Sequence, residues 1–207
     1  MKTRIIAAAL ALALAAAAPA AAMAGAPTDR VRLATDKVIT ILKDPALKPP
    51  AKEKDRRAKI RNAVYEVFDF EEMAKRSLAT FWRDRTAADR KEFVDLFSDL
   101  LERSYINRIE NYSDEKIVYT AEDTDGDYSV VKSKFVTKRG EEIEVDYKLM
   151  NRDKVWYVYD VVIESVSLVN NYRVQFNKVI RSSSYQELVK KMKNKKESET
   201  FVSPGKG

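Results

Sequence analysis

The chain has 207 residues, 45% hydrophobic and 34% charged, with a formal net charge of +6, a globular balance at a length that suits one domain or two small subdomains sharing a core. With 0 Cys and 0 His, thiol nucleophiles, disulfides, Ser-His-Asp triads and His-based metal sites are excluded. Of 5 Gly, Gly25, Gly205 and Gly207 lie near the ends, so Gly126 and Gly140 are too few for a phosphate-cradling loop.

Lys2 and Arg4 precede an Ala- and Leu-rich run from Ile5 to Ala18, and Ala22-Met23-Ala24 supplies a small-x-small cleavage pattern. The run is short for the about 20 residues that span a bilayer, and Pro19 breaks it. Residues 1–24 therefore read as a cleaved secretory signal, with Gly25 the expected mature start and a bacterial periplasm the expected destination. Removing Lys2 and Arg4 lowers the charge from +6 to +4. Much of that excess lies in Lys52 to Arg61, with six basic and two acidic residues, and in Lys190 to Lys196, with five lysines. Solvated helix faces are the simplest reading of both, an anionic contact the lesser one. Export argues against nucleic acid.

Asp29 to Lys43 reads as a helix carrying Val31, Val38, Ile41 and Leu42, ended by Pro45, Pro49 and Pro50. Ala51 to Val67 is helical. Phe68-Asp69-Phe70 breaks that run, and Glu71 to Leu78 makes a short helix. Thr86, with Asp89 three residues on, opens a long helix in which Phe93, Leu96, Phe97, Leu100, Leu101, Tyr105 and Ile109 keep helical spacing. After Asn111 the period changes to two. Lys116 to Glu122, Tyr128 to Lys138, Glu141 to Met150 and Val155 to Glu164 read as four strands joined by short turns, an antiparallel meander. In the third strand Ile143, Val145, Tyr147 and Leu149 alternate with charged residues, which gives a sheet with one buried face. Tyr172 to Lys193 returns to helix, and 194–207 reads as a disordered polar tail. The fold class is α+β: helices over 29–109, an antiparallel four-stranded curved sheet over 116–164, and helices over 172–193.

Chemical candidates are sparse. Asp123, Asp125 and Asp127 surround Gly126, but the glycine does not sit where a calcium loop needs it, and a hairpin turn accounts for Asp-Gly. Asp160 interrupts the apolar run Val158, Val161, Val162, Ile163 and calls for a partner, with Arg173 or Arg83 the candidates. No metal or cofactor is expected.

The segment Phe68 to Tyr112, FDFEEMAKRSLATFWRDRTAADRKEFVDLFSDLLERSYINRIENY, resembles the signature of the MlaC family, the toluene-tolerance auxiliary proteins. A second match is VWYVYDVVIESVSLVNNYRVQF, Val155 to Phe176, which departs from the family pattern at Ser165, where glycine is expected. The resemblance covers roughly Asp29 to Met192. It implies a single lipid-binding domain over 25–193, a nuclear-transport-factor-like roll joined to a helical subdomain. It also implies a non-enzymatic, monomeric periplasmic phospholipid carrier. Its partners would be an inner-membrane ABC transporter with a ring of MCE domains and an outer-membrane lipoprotein–porin complex.

On that reading the acyl lining comes from Ile143, Val145, Tyr147 and Leu149 of the third strand and Val131 and Phe135 of the second. Phe97, Leu101 and Tyr105 of the long helix and Val169, Tyr172 and Phe176 after the sheet are the candidates to close it. Trp82 and Arg83 are read as fold-defining. Two rivals stand beside it: a carrier of a hopanoid or another hydrophobic molecule, and a roll-fold hydrolase or isomerase with Asp160 or Asp146 as base.

Overall fold

Proline and short polar side chains set the helix ends. The computed structural model describes residues 25–112, 115–194 and 200–201. Helix α1 (Ala26–Lys43) carries Pro27 in its first turn, where a missing N–H costs nothing. Asp44 closes it and accepts the Ala46 amide to start a 3-10 turn at Pro45–Leu47, after which a second turn at Pro50–Lys52 leads into α2 (Glu53–Tyr65). Asp69 caps α3 (Phe70–Leu78) by accepting the Glu72 amide. Thr86 and Asp89 cap each other's backbone at the start of α4 (Ala87–Glu110).

The sheet has five strands where four are expected. β1 (Lys116–Asp125), β2 (Tyr128–Val136), β3 (Glu142–Arg152), β4 (Val155–Ile163) and β5 (Val166–Ser167) form one antiparallel sheet in chain order. Bulges between Tyr119 and Ala121 and between Lys148 and Leu149 curve it. The extra strand follows a two-residue turn, Glu164–Ser165, with φ of 48° and 67°. Positive φ at both positions matches the strand twist, as in the Asp153–Lys154 turn. Without a glycine there, the turn and β5 stay hidden in the sequence.

The helical segment expected over Tyr172 to Lys193 starts earlier and is two helices, α5 (Leu168–Ser182) and α6 (Tyr185–Lys193). Ser184 breaks the run by accepting the Glu187 amide and starting a new helix. The expected signal, residues 1–24, lies outside the described residues, as does most of 194–207. Within that expected tail, however, Phe201 is 4% exposed and packs edge-on to Phe176 at 5.2 Å, so at that residue the chain returns to the core.

Two apolar cores result. One is helical, with α3 to α6 closing around Phe93, Phe97, Tyr172 and Phe176. The other lies between α1 and one sheet face and holds Val31, Ala34, Val67, Val131, Tyr147, Leu149 and Val158. Phe68 packs against both. Its neighbours continue the sheet beside β4: the Asp69 amide donates to the Val158 carbonyl at 2.8 Å, and the Val158 amide to the Val67 carbonyl at 2.9 Å.

Candidate functional site

The inner sheet face dries out in one direction only. Along β3, Leu149 is 0% exposed, Tyr147 buried, Val145 half-buried and Ile143 38% exposed. The neighbours in register follow the same gradient: Phe135 and Ile117, which lie beside Ile143, are both half-buried. α1 is pinned along β1, with Thr28 bonded to Glu122 and Thr35 to the Tyr119 hydroxyl at 2.8 Å. Its first half seals the Leu149 end. Its second half carries Val38, Ile39, Ile41 and Leu42, all half-buried.

α4 runs from dry to wet as well. Phe93 and Phe97 are sealed and Leu101 is buried, whereas Tyr105 and Ile109 are half-buried. Only residues 111–115 separate the end of α4 from the start of β1, so its wet end and the uncovered end of the sheet fall together. A hollow of about 330 Å³ at this end is lined by Ile39, Tyr112, Ile117 and Tyr119 together with Arg32, Thr35, Asp36 and Glu115. Its wall is thus mixed, with apolar groups beside polar ones that could meet a headgroup, and a concave site of that kind is a usual form of a binding site. A larger hollow, about 430 Å³ between α4 and α6, is lined by Asp89, Glu92, Gln186, Lys190 and Lys193 around Tyr185 and Val189. Its exposed wall is mostly apolar, but no residue of the sheet lines it, so it lies apart from the uncovered end.

The twelve residues expected to line one pocket divide between the cores. Phe97, Leu101, Val169, Tyr172 and Phe176 belong to the helical core, and Tyr105 packs against it. Val131, Tyr147 and Leu149 belong to the sheet core with Val145 against it, while Phe135 and Ile143 lie at the open end. None of the twelve lines either hollow. Ile39, Tyr112 and Ile117 are the groups sequence reasoning missed. The signal for Ile39 is the apolar run Val38-Ile39 with Ile41-Leu42, too wide for one packed helix face, whereas no local pattern marks Tyr112 and Ile117.

The charged candidates hold the frame. Asp160 is buried, but its partners are neither Arg173 nor Arg83. It accepts the Ser167 hydroxyl at 2.7 Å and the Val169 amide at 3.0 Å, with the Lys148 ammonium 3.5 Å away, so it fixes the start of α5. Both of its carboxylate oxygens are thus engaged within the fold. Asp146 lies on the outer sheet face beside Lys132. Burial pushes its carboxyl above the usual range, aided by Glu144 and opposed by Lys132 and Lys148. The Tyr147 hydroxyl is raised by burial in the sheet core. The basic run of α2 is more than a solvated face: Arg56 and Arg57 both reach Glu110 at 2.7 Å, and Arg61 reaches Glu102 at 2.7 Å, tying α2 to α4. Arg152 reaches the capping Asp69 at 2.6 Å. Trp82 is buried under Arg90, whereas the Arg83 side chain is exposed.

Among the described residues no helix is long and apolar enough to cross a membrane, and no group of three or more acids is placed to hold a metal ion. The family model described as MlaC protein matches residues 32–194. The intermembrane phospholipid transport system binding protein MlaC of Haemophilus influenzae is 23% identical over 143 residues, which are 64% of this chain and 64% of that protein. The match thus spans just under two thirds of the relative's length. A phospholipid-binding protein from Ralstonia solanacearum, solved with a phospholipid, has a TM-score of 0.75 at 24% identity over 86% of this chain and 99% of its own. That likeness establishes the fold.

Proposed function

The chain belongs to the MlaC family, and from that premise we propose that it is a periplasmic phospholipid carrier that takes acyl chains into the open end between sheet and helices. The observation that carries this reading is the joint gradient from dry to wet along β3, α4 and α1. It leaves Ile39, Tyr105, Phe135, Ile143 and Val145 at one end as apolar groups incompletely buried. The names of the relatives support the ligand: one is a phospholipid transport binding protein and one holds a phospholipid.

The physics fits a carrier. Two acyl chains of about 16 carbons, at ~0.8 kcal/mol per CH₂, would expose on the order of 25 kcal/mol of apolar surface to water. Unassisted crossing of the periplasm is negligible at that cost, and a protein must supply a comparable lining. No ATPase motif lies in this chain, so direction comes from partners: an inner-membrane ABC transporter with an MCE ring on one side, an outer-membrane lipoprotein–porin complex on the other. Release requires the mouth to widen at one of them. The two cores meet at Phe68 without merging, which gives the acyl chains a seam to part along.

Native mass spectrometry of the purified protein, followed by lipid extraction, tests this. The expected result is a stoichiometric phospholipid adduct, lost in Val145→Arg while the circular dichroism spectrum stays unchanged. Protein that remains empty after incubation with phospholipid liposomes would overturn the proposal. An extracted hopanoid would redirect it.

A further inference from the structure

The start of α1 lacks a side-chain cap of its own. Gly25 is its N-cap residue, with its carbonyl accepting the Asp29 amide at 3.0 Å, and it offers no side chain to the free amides of the first turn. The cap comes from β1 instead. One carboxylate oxygen of Glu122 accepts the Thr28 amide at 2.9 Å and the Thr28 hydroxyl at 2.6 Å, across 94 positions of sequence. The other oxygen, Oε1, faces Gly25 so closely that a Cβ built there would lie 2.0 Å from it. Since N and Cβ of one residue are about 2.5 Å apart, the Gly25 nitrogen lies within about 4.5 Å of that oxygen.

In an uncleaved chain that nitrogen is a neutral amide. Hydrolysis of the Ala24–Gly25 bond adds water across the peptide, leaving a carboxylate on Ala24 and an ammonium on Gly25. A positive charge at a helix N-terminus opposes the helix dipole and would weaken α1 if it stood alone. Here it meets a carboxylate already held in place by Thr28. We propose that Gly25 and Glu122 form a maturation-dependent ion pair: removal of the signal creates the ammonium that staples α1 to β1. The choice of Gly25 as the new terminus rests on the export reading above, whereas the pairing rests on the geometry. Glycine suits the position because a Cβ would push the carboxylate away from Thr28.

The consequence is a fold that tightens on export. α1 covers the dry end of the sheet core, so its attachment sets how firmly that end is closed.

Two measurements test the two halves separately. The intact mass of protein exported to the periplasm reports the terminus: a chain beginning at Gly25 supports the proposal, and any other start overturns its processing half. The pairing is read from thermal unfolding of the mature chain with a free Gly25 amine and of a chain retaining Ala22 to Ala24, each with Glu122 and with Glu122→Gln. Glutamine keeps an oxygen for Thr28 and removes only the charge. With Glu122 the free-amine chain is expected to melt about 2–4 °C higher at low salt, with the gap shrinking in 1 M salt. With Glu122→Gln the gap should vanish or reverse. An equal gap in both backgrounds would overturn the ion pair, and with all four chains delipidated before melting the result is independent of the lipid reading.

Discussion

The helical core and the sheet core draw on the same apolar residue types and end in different states. Around α4 and α5 the rings of Phe93, Phe97, Tyr172 and Phe176 interlock, with three edge-on pairs at 5.5 to 5.7 Å, and all four are sealed. On the sheet, burial decays along β3 until Ile143 stands partly in water. Geometry gives a reason. At ~3.4 Å per residue the eleven residues of β3 extend roughly 35 Å, while the eighteen of α1 at ~1.5 Å extend roughly 27 Å. One helix laid on such a sheet leaves an end uncovered. Four helices packed on one another leave none. On the proposed function the dry lobe is the scaffold and the graded lobe is where a ligand has something to gain.

Truncation separates the two most sharply. Phe97→Ala, in the sealed core, is expected to cost about 3–5 kcal/mol, a melting temperature lower by at least about 6 °C. Ile143→Ala, at the open end, is expected to cost under ~1 kcal/mol and to act instead on lipid retention. Similar losses of stability at both positions, measured by thermal unfolding, would dissolve the distinction between scaffold and mouth.

A smaller effect tests the strap between the lobes. α2 packs on α1 and is tied to α4 through Glu110. Burial alone would raise the Glu110 carboxyl, but hydrogen bonds from Arg57 and Arg56 outweigh it and hold the group below the usual carboxylate range. A depressed folded pKa contributes stability above the unfolded value of about 4.3, and that contribution is lost as pH falls through the folded pKa. After screening at the partly exposed Arg57, the strap is expected to contribute about 1 kcal/mol. Hydrogen exchange should show α2 loosening from α4 below about pH 4 in the native chain. Glu110→Gln should be loosened already at neutral pH and show a smaller acid step, since the Arg61–Glu102 tie is still present. An acid step of equal size in both chains would mean that Glu110 is not the strap.

Much of this architecture was legible in residues whose chemistry is local. Pro45 and Pro50, the Thr86–Asp89 box and the alternation from Ile143 to Leu149 each dictate structure within a few positions, and the corresponding elements are present. Two boundaries were not legible because unusual residues make them: Ser184 starts a helix inside an unbroken apolar pattern, and Glu164–Ser165 turns the chain without glycine. The candidate site was legible only as a face. Periodicity marks Val145 and Leu149 alike as inward, yet what packs over them in space, α1 together with Val67 and Phe68, leaves Leu149 sealed and Val145 half-open. Asp160 shows the same limit: its apolar neighbours announce a buried acid, but a hydroxyl and an amide seven and nine positions away supply its partners.

The smallest expected effect is a gain, and it falls wholly within the dry lobe. Ala79 ends α3 with φ 52° and ψ −122°, a conformation that crowds any Cβ. It is flanked by buried Leu78 and Trp82, so the sealed core fixes the backbone there. For an alanine the left-handed φ costs about 1–2 kcal/mol, and glycine would remove that strain. Glycine also enlarges the unfolded ensemble, which returns about 0.4–1 kcal/mol of the gain. The net expectation for Ala79→Gly is a stabilisation of about 0.5–1 kcal/mol, a melting temperature higher by roughly 1–4 °C. Because the strain is held by the helical core, lipid retention should not change. A gain in stability accompanied by lost lipid would show instead that the strained turn at Ala79 is coupled to the mouth, and that the two lobes work as one.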